Sequence, residues 1–425
     1  MPKSTPQFVV RRAMNSDLPT LHKLSKMVHF INLPPDQEII ANKIRNSRQS
    51  FLRAARDAKT VHKPPMESTS SGLSEKTAMA DIFMFVIEEL NTEGCIGSSQ
   101  VVSQMGGVGH PNVCFKLETR EKYAEDLKFG TKHTVARVYL DESGPTELGG
   151  LIMQPSFRGH KLKLGKFTSL VRFHFIALHR KMFRPTILAE LMAPISSKGE
   201  SLVWDTLGRR FIPLSYDEAD RFCQYSRNFM TDLLPEGDIH LSLLPPQARA
   251  QVGEVGPETV PARRMLERLG FEYHGFVDPF DGGPYITAKT DEIQIVKDTF
   301  SAELGPSIKH EQTNKAGIVS VLNNDGDFRA VQCAFQIDRS GRIRVTSETA
   351  IALRAEPGMM AGCTPMRVPI EPGRDEKKRA ASKASKKKSV AKKAAPKSGK
   401  KAQKKKSQSK ASAKKTTTKR ASRTR

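Results

Sequence analysis

The stretch that decides the fold runs from Glu147 to Arg180 and reads ELGGLIMQPSFRGHKLKLGKFTSLVRFHFIALHR. It predicts a strand, a loop and a helix in that order. The strand is a short apolar run that contains Gly149 and Gly150 and ends at Pro155. Glycine inside a strand indicates a β-bulge, or close approach by a ligand or another backbone. We therefore expect an irregular strand here that a ligand can reach.

The loop after this strand is basic and has a glycine near each end. It runs from Arg158 to Lys166, with glycines at Gly159 and Gly165. A loop that opens a helix leaves free backbone N–H groups beside the positive end of the helix dipole, which is a site for phosphate or pyrophosphate. The alternative is an ordinary strand–helix unit with solvated Lys and Arg side chains. This stretch alone does not separate the two interpretations.

A resemblance favours the first interpretation. The stretch resembles the acyl-CoA-binding motif of the GNAT N-acyltransferase fold, and the chain is similar to arginine N-succinyltransferases over most of Phe8–Arg367. The most specific blocks of similarity are Glu147–Pro155, Ser201–Asp220 and Val252–Pro284. The resemblance implies that the bulged strand pairs with the pantetheine arm of the acyl-CoA and that the loop holds the CoA pyrophosphate.

The charge of the chain is concentrated at its C-terminal end. Between Arg374 and Arg425 there are 18 Lys and 5 Arg but only 2 acidic residues, which accounts for +21 of the formal net charge of +24. This tail has no aromatic residue and cannot bury enough apolar surface to offset chain entropy, so we expect it to be disordered. In composition it resembles the tails of linker histones. It predicts non-specific nucleic-acid binding and association with the nucleoid, or a purely solubilising role.

Cysteine usage and hydropathy indicate a soluble, cytoplasmic protein. The five cysteines are scattered and form no CxxC pair, so we expect neither a disulfide framework nor a metal site. No run reaches about 18 consecutive apolar residues, the length that a membrane-spanning helix needs. The N-terminal residues contain no apolar segment of the kind found in secretory signals.

Strands that alternate with helices along the chain predict an α/β fold. We expect a GNAT-like domain over residues 1–310, a small β-barrel over residues 311–373 and the disordered tail over residues 374–425. The strands predicted in the first domain include Phe8–Arg12, Ile82–Ile87, Ile96–Val102, Val135–Leu140, Thr186–Leu191 and Phe271–Asp278. The barrel strands are predicted at Ile318–Leu322, Phe328–Cys333, Arg342–Val345 and Met366–Pro369. Helices are predicted from Asn15, from Asp36, after the basic loop and over Pro257–Gly270.

The resemblance also implies a reaction. The succinyl group of succinyl-CoA passes to the α-amino group of L-arginine by direct attack in a ternary complex, and CoA and N2-succinyl-L-arginine are released. Such a reaction needs a polarised thioester carbonyl, a deprotonated amine and stabilisation of the departing thiolate. The family further suggests a dimer or tetramer, built as a homo- or hetero-oligomer.

Site residues carry over from the family by position. Leu151 matches the residue that contacts succinyl-CoA, and the phosphate loop comprises Arg158, Gly159, Gly165 and Lys166. The histidine that donates a proton in the family aligns with Gly256, which cannot transfer a proton. Another side chain must therefore carry the proton, or the reaction must be slow or absent.

Four side chains are candidates to replace that histidine: His240, Glu254, Glu258 and Tyr225. His240 is the first choice because its segment, DIHLSLL, aligns beside the acyl site of the family. A structural role for a lone histidine in an apolar segment is the alternative. An exposed glutamate needs a raised pKa to act as a base.

The acceptor side of the site departs from the family as well. Met192 stands where the family has an arginine after its Ala-Glu pair. Asp278 and Asp281, in the segment VDPFDGGP, could face a guanidinium group, but we expect them to be turn residues. Two functions from different classes therefore remain open. One is a succinyltransferase, and the other is a catalytically impaired relative that binds nucleic acid through its tail.

Overall fold

A computed structural model of the chain describes residues 6–27, 33–57, 80–196, 198–223 and 225–367. The predicted disordered tail, residues 374–425, lies outside the described residues. The strands are β1 Phe8–Arg12, β2 Ile82–Glu89, β3 Gly94–Val102, β4 Asn112–Ala124, β5 Phe129–Asp141, β6 Thr146–Met153, β7 Thr186–Glu190, β8 Ile239–His240, β9 Glu272–Val277, β10 Pro284–Lys289, β11 Phe300–Glu303, β12 Lys315–Leu322, β13 Phe328–Ile337, β14 Ile343–Arg344 and β15 Met360–Pro365. The helices are α1 Leu18–Ser25, α2 Gln37–Asp57, α3 Leu164–Leu178, α4 Leu202–Thr206, α5 Tyr216–Phe222, α6 Asn228–Leu233, α7 Pro246–Arg249, α8 Val260–Glu267, α9 Gln294–Asp298 and α10 Ser347–Leu353.

The strands join into one mixed sheet, which confirms the α/β class. Their order is β11-β15-β12-β13-β1-β2-β3-β6-β7-β10-β9-β4-β5-β8, and β14 pairs with β13. Among the named strands of the described residues, β6 and β7 form the one parallel pair. A parallel pair needs a long crossover, and α3 supplies it. The strand and helix of the deciding stretch therefore lie in the middle of the sheet.

Helices cover both faces of the central strands. The apolar residues of α3 pack on one face, in a core that includes Phe83, Phe85, Leu148, Leu170, Phe173, Phe175, Ile187 and Ile286. Helix α1 and the first half of α2 cover the opposite face, where the core includes Leu21, Leu24, Ile40, Ile44, Met84, Val86 and Ile152. Asp36 begins α2 as predicted, because its Oδ1 accepts hydrogen bonds from the N–H groups of Glu38 and Ile39.

The C-terminal strands join the sheet through β1. Val10 pairs with Ala330, and Arg11 pairs with Arg329 of β13. The Arg11 guanidinium, which is 2% exposed, donates two hydrogen bonds to Asp17 and a further one to Glu88 of β2. This buried ionic cluster therefore ties the first two strands together beside the junction with β13. A domain boundary at residues 310/311 and closure of residues 311–373 into a barrel stay predictions.

Several features of the fold differ from the sequence prediction. β4 was missed because its outer half is exposed and shows no apolar alternation, although it pairs with β5 along its whole length. Helix α10 was missed as well. The last predicted strand, Met366–Pro369, was wrong for its described part, since β15 ends at Pro365 and residues 368–369 lie outside the described residues. Within the described residues, no helix combines the length and apolar character needed to cross a membrane.

His174 ties α3 to the C-terminal strands. Its side chain is fully buried, with Nδ1 2.6 Å from Thr364 Oγ1 on β15 and Nε2 2.6 Å from Ser320 Oγ on β12. Burial lowers the pKa of His174 to about 3, and it lowers the pKa of His179, just after α3, to about 4. The packed fold therefore holds both imidazoles neutral.

These depressed pKa values make stability depend on pH. The unfolded chain protonates a histidine near pH 6.5, whereas the folded chain resists protonation. Stability contributed by His174 is therefore fully present above about pH 6.5 and is lost as pH falls from about 6.5 towards 3, by about 1.4 kcal/mol per pH unit. We expect His174→Gln to flatten the decline of the unfolding free energy between pH 6.5 and 4.5, measured by urea denaturation. His110→Gln, at an exposed histidine, is the control, and equal slopes in both variants would contradict the prediction.

Candidate active site

The deciding strand, β6, contains the predicted β-bulge. Gly149 pairs with Gln100 of β3 and Ile152 pairs with Ser98, so β6 has one extra residue between these pairs. Gly150 takes the left-handed conformation, with φ +57°, which glycine adopts without steric cost. The Ser98 hydroxyl donates to the Gly150 carbonyl at 3.0 Å. The bulge is therefore fixed against β3.

Just before the bulge, β6 and β7 part and leave a fork. Their pairing ends at Leu148 and Ala189, while β6 continues to Met153. The chain after β7 turns to other partners, since the N–H of Leu191 donates to the carbonyl of Pro284. The β7-facing edge of the last part of β6, which includes the half-buried Leu151, is therefore not covered by β7. An extended ligand with amide groups can pair with such an edge.

The predicted phosphate loop leads from this edge into α3. The helix begins after Lys163, a residue in the left-handed conformation with φ 53°. The Phe167 N–H donates to the Lys163 carbonyl, whereas the N–H groups of Leu164, Gly165 and Lys166 have no backbone acceptor in the described part of the chain. The Lys166 side chain is exposed beside them. Free N–H groups, the helix dipole and a cation thus meet at one point, as an anion site requires.

Arg158 joins the loop to the residues just before α8. Its Nε donates to the Met153 carbonyl at 3.2 Å, and its NH1 lies 2.6 Å from Glu258 Oε2, just before α8. Both side chains are well exposed, at 41% and 67%, so the ion pair is worth little and can exchange for a phosphate. Gly159, with φ +71°, lets the loop turn next to Arg158. Arg158, Gly159, Gly165 and Lys166 thus all belong to the connection between β6 and α3.

The structure does not bring His240 to the fork. His240 is exposed on β8, the last strand of the sheet, and pairs with Val135 of β5. Six strand-to-strand steps separate β8 from β6, which is about 29 Å along the sheet at about 4.8 Å per step. Its ring contacts His133 at a centroid distance of 5.6 Å. Tyr225, between α5 and α6, is 72% exposed.

Gly256 lies where the chain after β7 passes the loop before α8. Its N–H donates to the Met192 carbonyl at 2.9 Å, and the residue is buried. A Cβ at this position would stand 2.9 Å from the Ala193 carbonyl oxygen, closer than real side chains approach. The neighbouring Glu254 and Glu258 are both exposed. Only glycine fits here without a shift of the backbone, so the packing accounts for the absence of a histidine.

Asp278 and Asp281 are turn residues, as predicted. Asp278 Oδ1 accepts from the N–H groups of Phe280 and Asp281, at 2.7 and 3.0 Å. Asp281 accepts from the N–H of Gly283 through Oδ1, and from the N–H of Ala193 through Oδ2 at 2.9 Å. The hydrogen bond from the Ala193 N–H to Asp281 holds the chain after β7 on the side of the fork away from β6.

A cleft of charged residues borders the fork on the side of α1 and α2, and the sequence analysis missed it. Glu190, at the end of β7, accepts a hydrogen bond at 3.4 Å from Asn112 Nδ2, and Arg227 NH1 donates to Asn112 Oδ1 at 2.8 Å. Further charged groups act on these from neighbouring elements: Lys43 of α2, Glu147 of β6, Asp220 of α5 and Asp278 after β9. We call this set the charged cleft. Its residues come from six separate stretches of the chain, so no local sequence motif predicts it.

The charged cleft shifts the pKa values of its members towards neutrality. Burial, followed by the charges of Glu147 and Asp278, raises the pKa of Glu190 to about 8. Burial raises the pKa of Asp220 to about 7 and lowers that of Lys43 to about 8. Glu190, Asp220 and Lys43 are nonetheless only half-buried, so the cleft is open to solvent at these residues. Groups in this range can exchange protons at physiological pH.

The packing around Gly256 gives a direct test. Gly256→Ala should lower the unfolding free energy by about 1–3 kcal/mol, because the new methyl group pushes against the Ala193 carbonyl. Gly237→Ala is the matched control, since a Cβ at Gly237 meets no atom within 4 Å. Urea denaturation of both variants measures the difference. Equal midpoints would show that position 256 has room for a side chain.

Comparison with known proteins gives the family. A family model for the arginine N-succinyltransferase beta subunit matches residues 8–295. The arginine N-succinyltransferase of Yersinia pestis (strain Pestoides F) is 31% identical over 286 residues, which is 66% of this chain and 79% of that protein. The protein of the same name from Enterobacter sp. (strain 638) is 28% identical over 293 residues, 68% of this chain and 78% of its own length.

A solved structure shares the fold. The arginine/ornithine succinyltransferase subunit AI from Pseudomonas aeruginosa superimposes with a TM-score of 0.66 at 24% identity, covering 85% of this chain and 99% of that chain. The family model matches well over half of the sequence, and the Yersinia relative is matched over most of its length. The chain therefore belongs to the arginine N-succinyltransferase beta subunit family, a family of acyltransferases.

Proposed function

We propose that this chain transfers the succinyl group of succinyl-CoA to the α-amino group of L-arginine in the cytosol, with both substrates bound at once. The observation that carries the proposal is the bulged edge of β6, free of β7 and one loop before the N-terminus of α3. One end of this arrangement suits an amide-containing arm, and the other suits a pyrophosphate. Membership of the family supports the same reaction.

In this proposal the residues of the fork and loop take distinct roles. Leu151 contacts the acyl-CoA on the free edge of β6, where a backbone N–H can polarise the thioester carbonyl. Arg158 and Lys166, with the N–H groups at the start of α3, hold the pyrophosphate, and Gly159 and Gly165 let the backbone come close. Binding both substrates side by side removes the need for a covalent enzyme intermediate.

The finer description of the fold and assembly belongs to the same proposal. Two parallel strands that part next to a bulge, followed by a helix N-terminus, support a GNAT-type arrangement of the central sheet. An assembly of several subunits is supported by the descriptions of the relatives, which name a beta subunit and a subunit AI. The role of His240 as proton carrier is not part of the proposal, because His240 lies at the edge strand β8.

Thiol release from succinyl-CoA tests the proposed reaction. We expect CoA to be released with arginine or ornithine and more slowly with other amino acids. The rate should be higher at pH 9 than at pH 7, because a larger share of the amine is then neutral. Calorimetry with succinyl-CoA, run on the same preparation, reports binding separately. If succinyl-CoA binds but no amine in the panel releases thiol at any pH, the enzyme assignment fails.

The double variant Arg158→Ala, Lys166→Ala tests whether the loop binds succinyl-CoA. Loss of two charge-assisted contacts, at roughly 1.5–3 kcal/mol each, should weaken succinyl-CoA binding by a few kcal/mol. Lys181→Ala is the control, since Lys181 is an exposed lysine just beyond the opposite end of α3. Unchanged CoA affinity in the double variant would remove the loop from the binding site.

We infer a second activity for the tail, which lies outside the described residues. Its +21 of charge in 52 residues supports sequence-independent binding of nucleic acid or another polyanion. Deletion of residues 374–425 should leave acyl transfer intact and abolish DNA binding, and binding by the full chain should fall steeply with salt. Fluorescence anisotropy with duplex DNA at two salt concentrations measures both. DNA binding that survives the deletion would assign it to the body instead.

A further inference from the structure

Two enclosed oxygen atoms in or beside the charged cleft lack a hydrogen-bond partner among the described residues. They are Gln100 Oε1 and Asp220 Oδ1. Gln100 is 2% exposed, and it lies on the same face of the sheet as Glu147, because Gln100 pairs with Gly149 while Val102 pairs with Glu147. Buried acceptors are normally paired, so these atoms indicate room for a ligand that brings donors.

The charges of the cleft fit a cationic amino acid. Four carboxylates face two basic groups: Glu147, Glu190, Asp220 and Asp278 against Lys43 and Arg227. Arg227 NH1 donates to the amide oxygen of Asn112 at 2.8 Å rather than to a carboxylate. The cleft thus combines an excess of negative charge with one guanidinium that can take a carboxylate. A ligand with a cationic side chain, an ammonium and a carboxylate matches it.

The position of Glu190 connects the cleft to the fork. Ala189 is the last residue of β7 that pairs with β6, and Glu190 follows it directly. Its side chain is on the face of α1 and α2, together with that of Glu147, because Glu147 pairs with Leu188 and side chains alternate along a strand. Glu190 therefore stands where the two strands part, beside the free edge proposed for the acyl-CoA.

We propose that the charged cleft is the acceptor site, that Asp220 and Arg227 bind the cationic side chain and the carboxylate of the amino acid, and that Glu190 is the catalytic base. This inference rests on the proposed transfer for the identity of the donor. The groups that act on Glu190 and set its protonation are Glu147, Asp278, Arg227 and Tyr285. The assignment supplies the proton acceptor that Gly256 cannot be.

The step balances with the groups named. The ionised carboxylate of Glu190 takes one proton from the α-ammonium and leaves a neutral amine with a lone pair. That lone pair forms the C–N bond to the thioester carbon, and the C–S bond breaks with its electron pair going to sulfur. The thiolate takes the remaining excess proton from nitrogen. The products are the N-succinyl amino acid, CoA as the thiol and protonated Glu190, which returns its proton to water.

Two substitutions separate the roles of the cleft. Glu190→Gln should lower kcat by about 10²–10⁴-fold, with succinyl-CoA affinity unchanged. It should also remove the rise of kcat/KM through about pH 8, because the base is active only when ionised. Asp220→Asn should raise KM for arginine about tenfold or more, with kcat within a few-fold. Glu236→Gln, at an exposed glutamate away from the cleft, is the matched control.

The outcomes distinguish this inference from the proposed function. If the wild type transfers succinyl to arginine while Glu190→Gln keeps its rate and pH profile and Asp220→Asn keeps its KM, the inference is overturned and the function stands. If transfer is absent but calorimetry shows arginine binding that Asp220→Asn weakens, the cleft is an acceptor site and the succinyl donor is wrong. If the wild type neither transfers to arginine nor binds it, both proposals fail.

Discussion

The parting of β6 and β7 is the constraint on which the rest of the site depends. If the two parallel strands stayed paired to their ends, their backbone N–H and C=O groups would bond to each other. No free backbone group would then remain for a ligand. The bulge at Gly150 shifts the register of β6, and Asp281 holds the chain after β7 by accepting the N–H of Ala193. A glycine on one strand and a buried aspartate beyond the other therefore create an edge inside a sheet, where no edge would otherwise exist.

Helix α3 holds that edge in position at an energetic cost. Arg172 is 3% exposed and donates to the carbonyls of Ser169 and Gly149, and burial lowers its pKa to about 9. His174, two residues further along α3, bonds Ser320 and Thr364 on the C-terminal strands. Buried polar groups are tolerated only when they are paired. These bonds therefore hold α3 at one depth and in one rotation relative to the sheet. The bulge and the C-terminal strands are thereby fixed to one helix.

The features that could be predicted from sequence are those encoded locally. The bulge follows from two glycines in an apolar strand, α3 follows from its apolar residues, and the turn at Asp278 follows from VDPFDGGP. The charged cleft could not be predicted in this way, because Lys43, Glu190 and Arg227 meet only when the sheet order is known. The prediction for His240 rested on an alignment and not on a local pattern of residues. Its alignment placed it near the acyl site, but alignment carries no information about how many strands lie between two segments.

The packing around Gly256 bears on the role proposed for Glu190. The loop before α8 closes on the chain after β7 through the bond from Gly256 to Met192, which leaves no volume for a side chain. In the proposed reaction the base comes from a group at the fork, and a carboxylate can serve there only if its pKa approaches that of an imidazole. Burial and the neighbouring Glu147 raise the pKa of Glu190 into that range. In the proposed acceptor site, the carboxylates that suit the cleft to a cationic amino acid are thus also the groups that raise the pKa of Glu190.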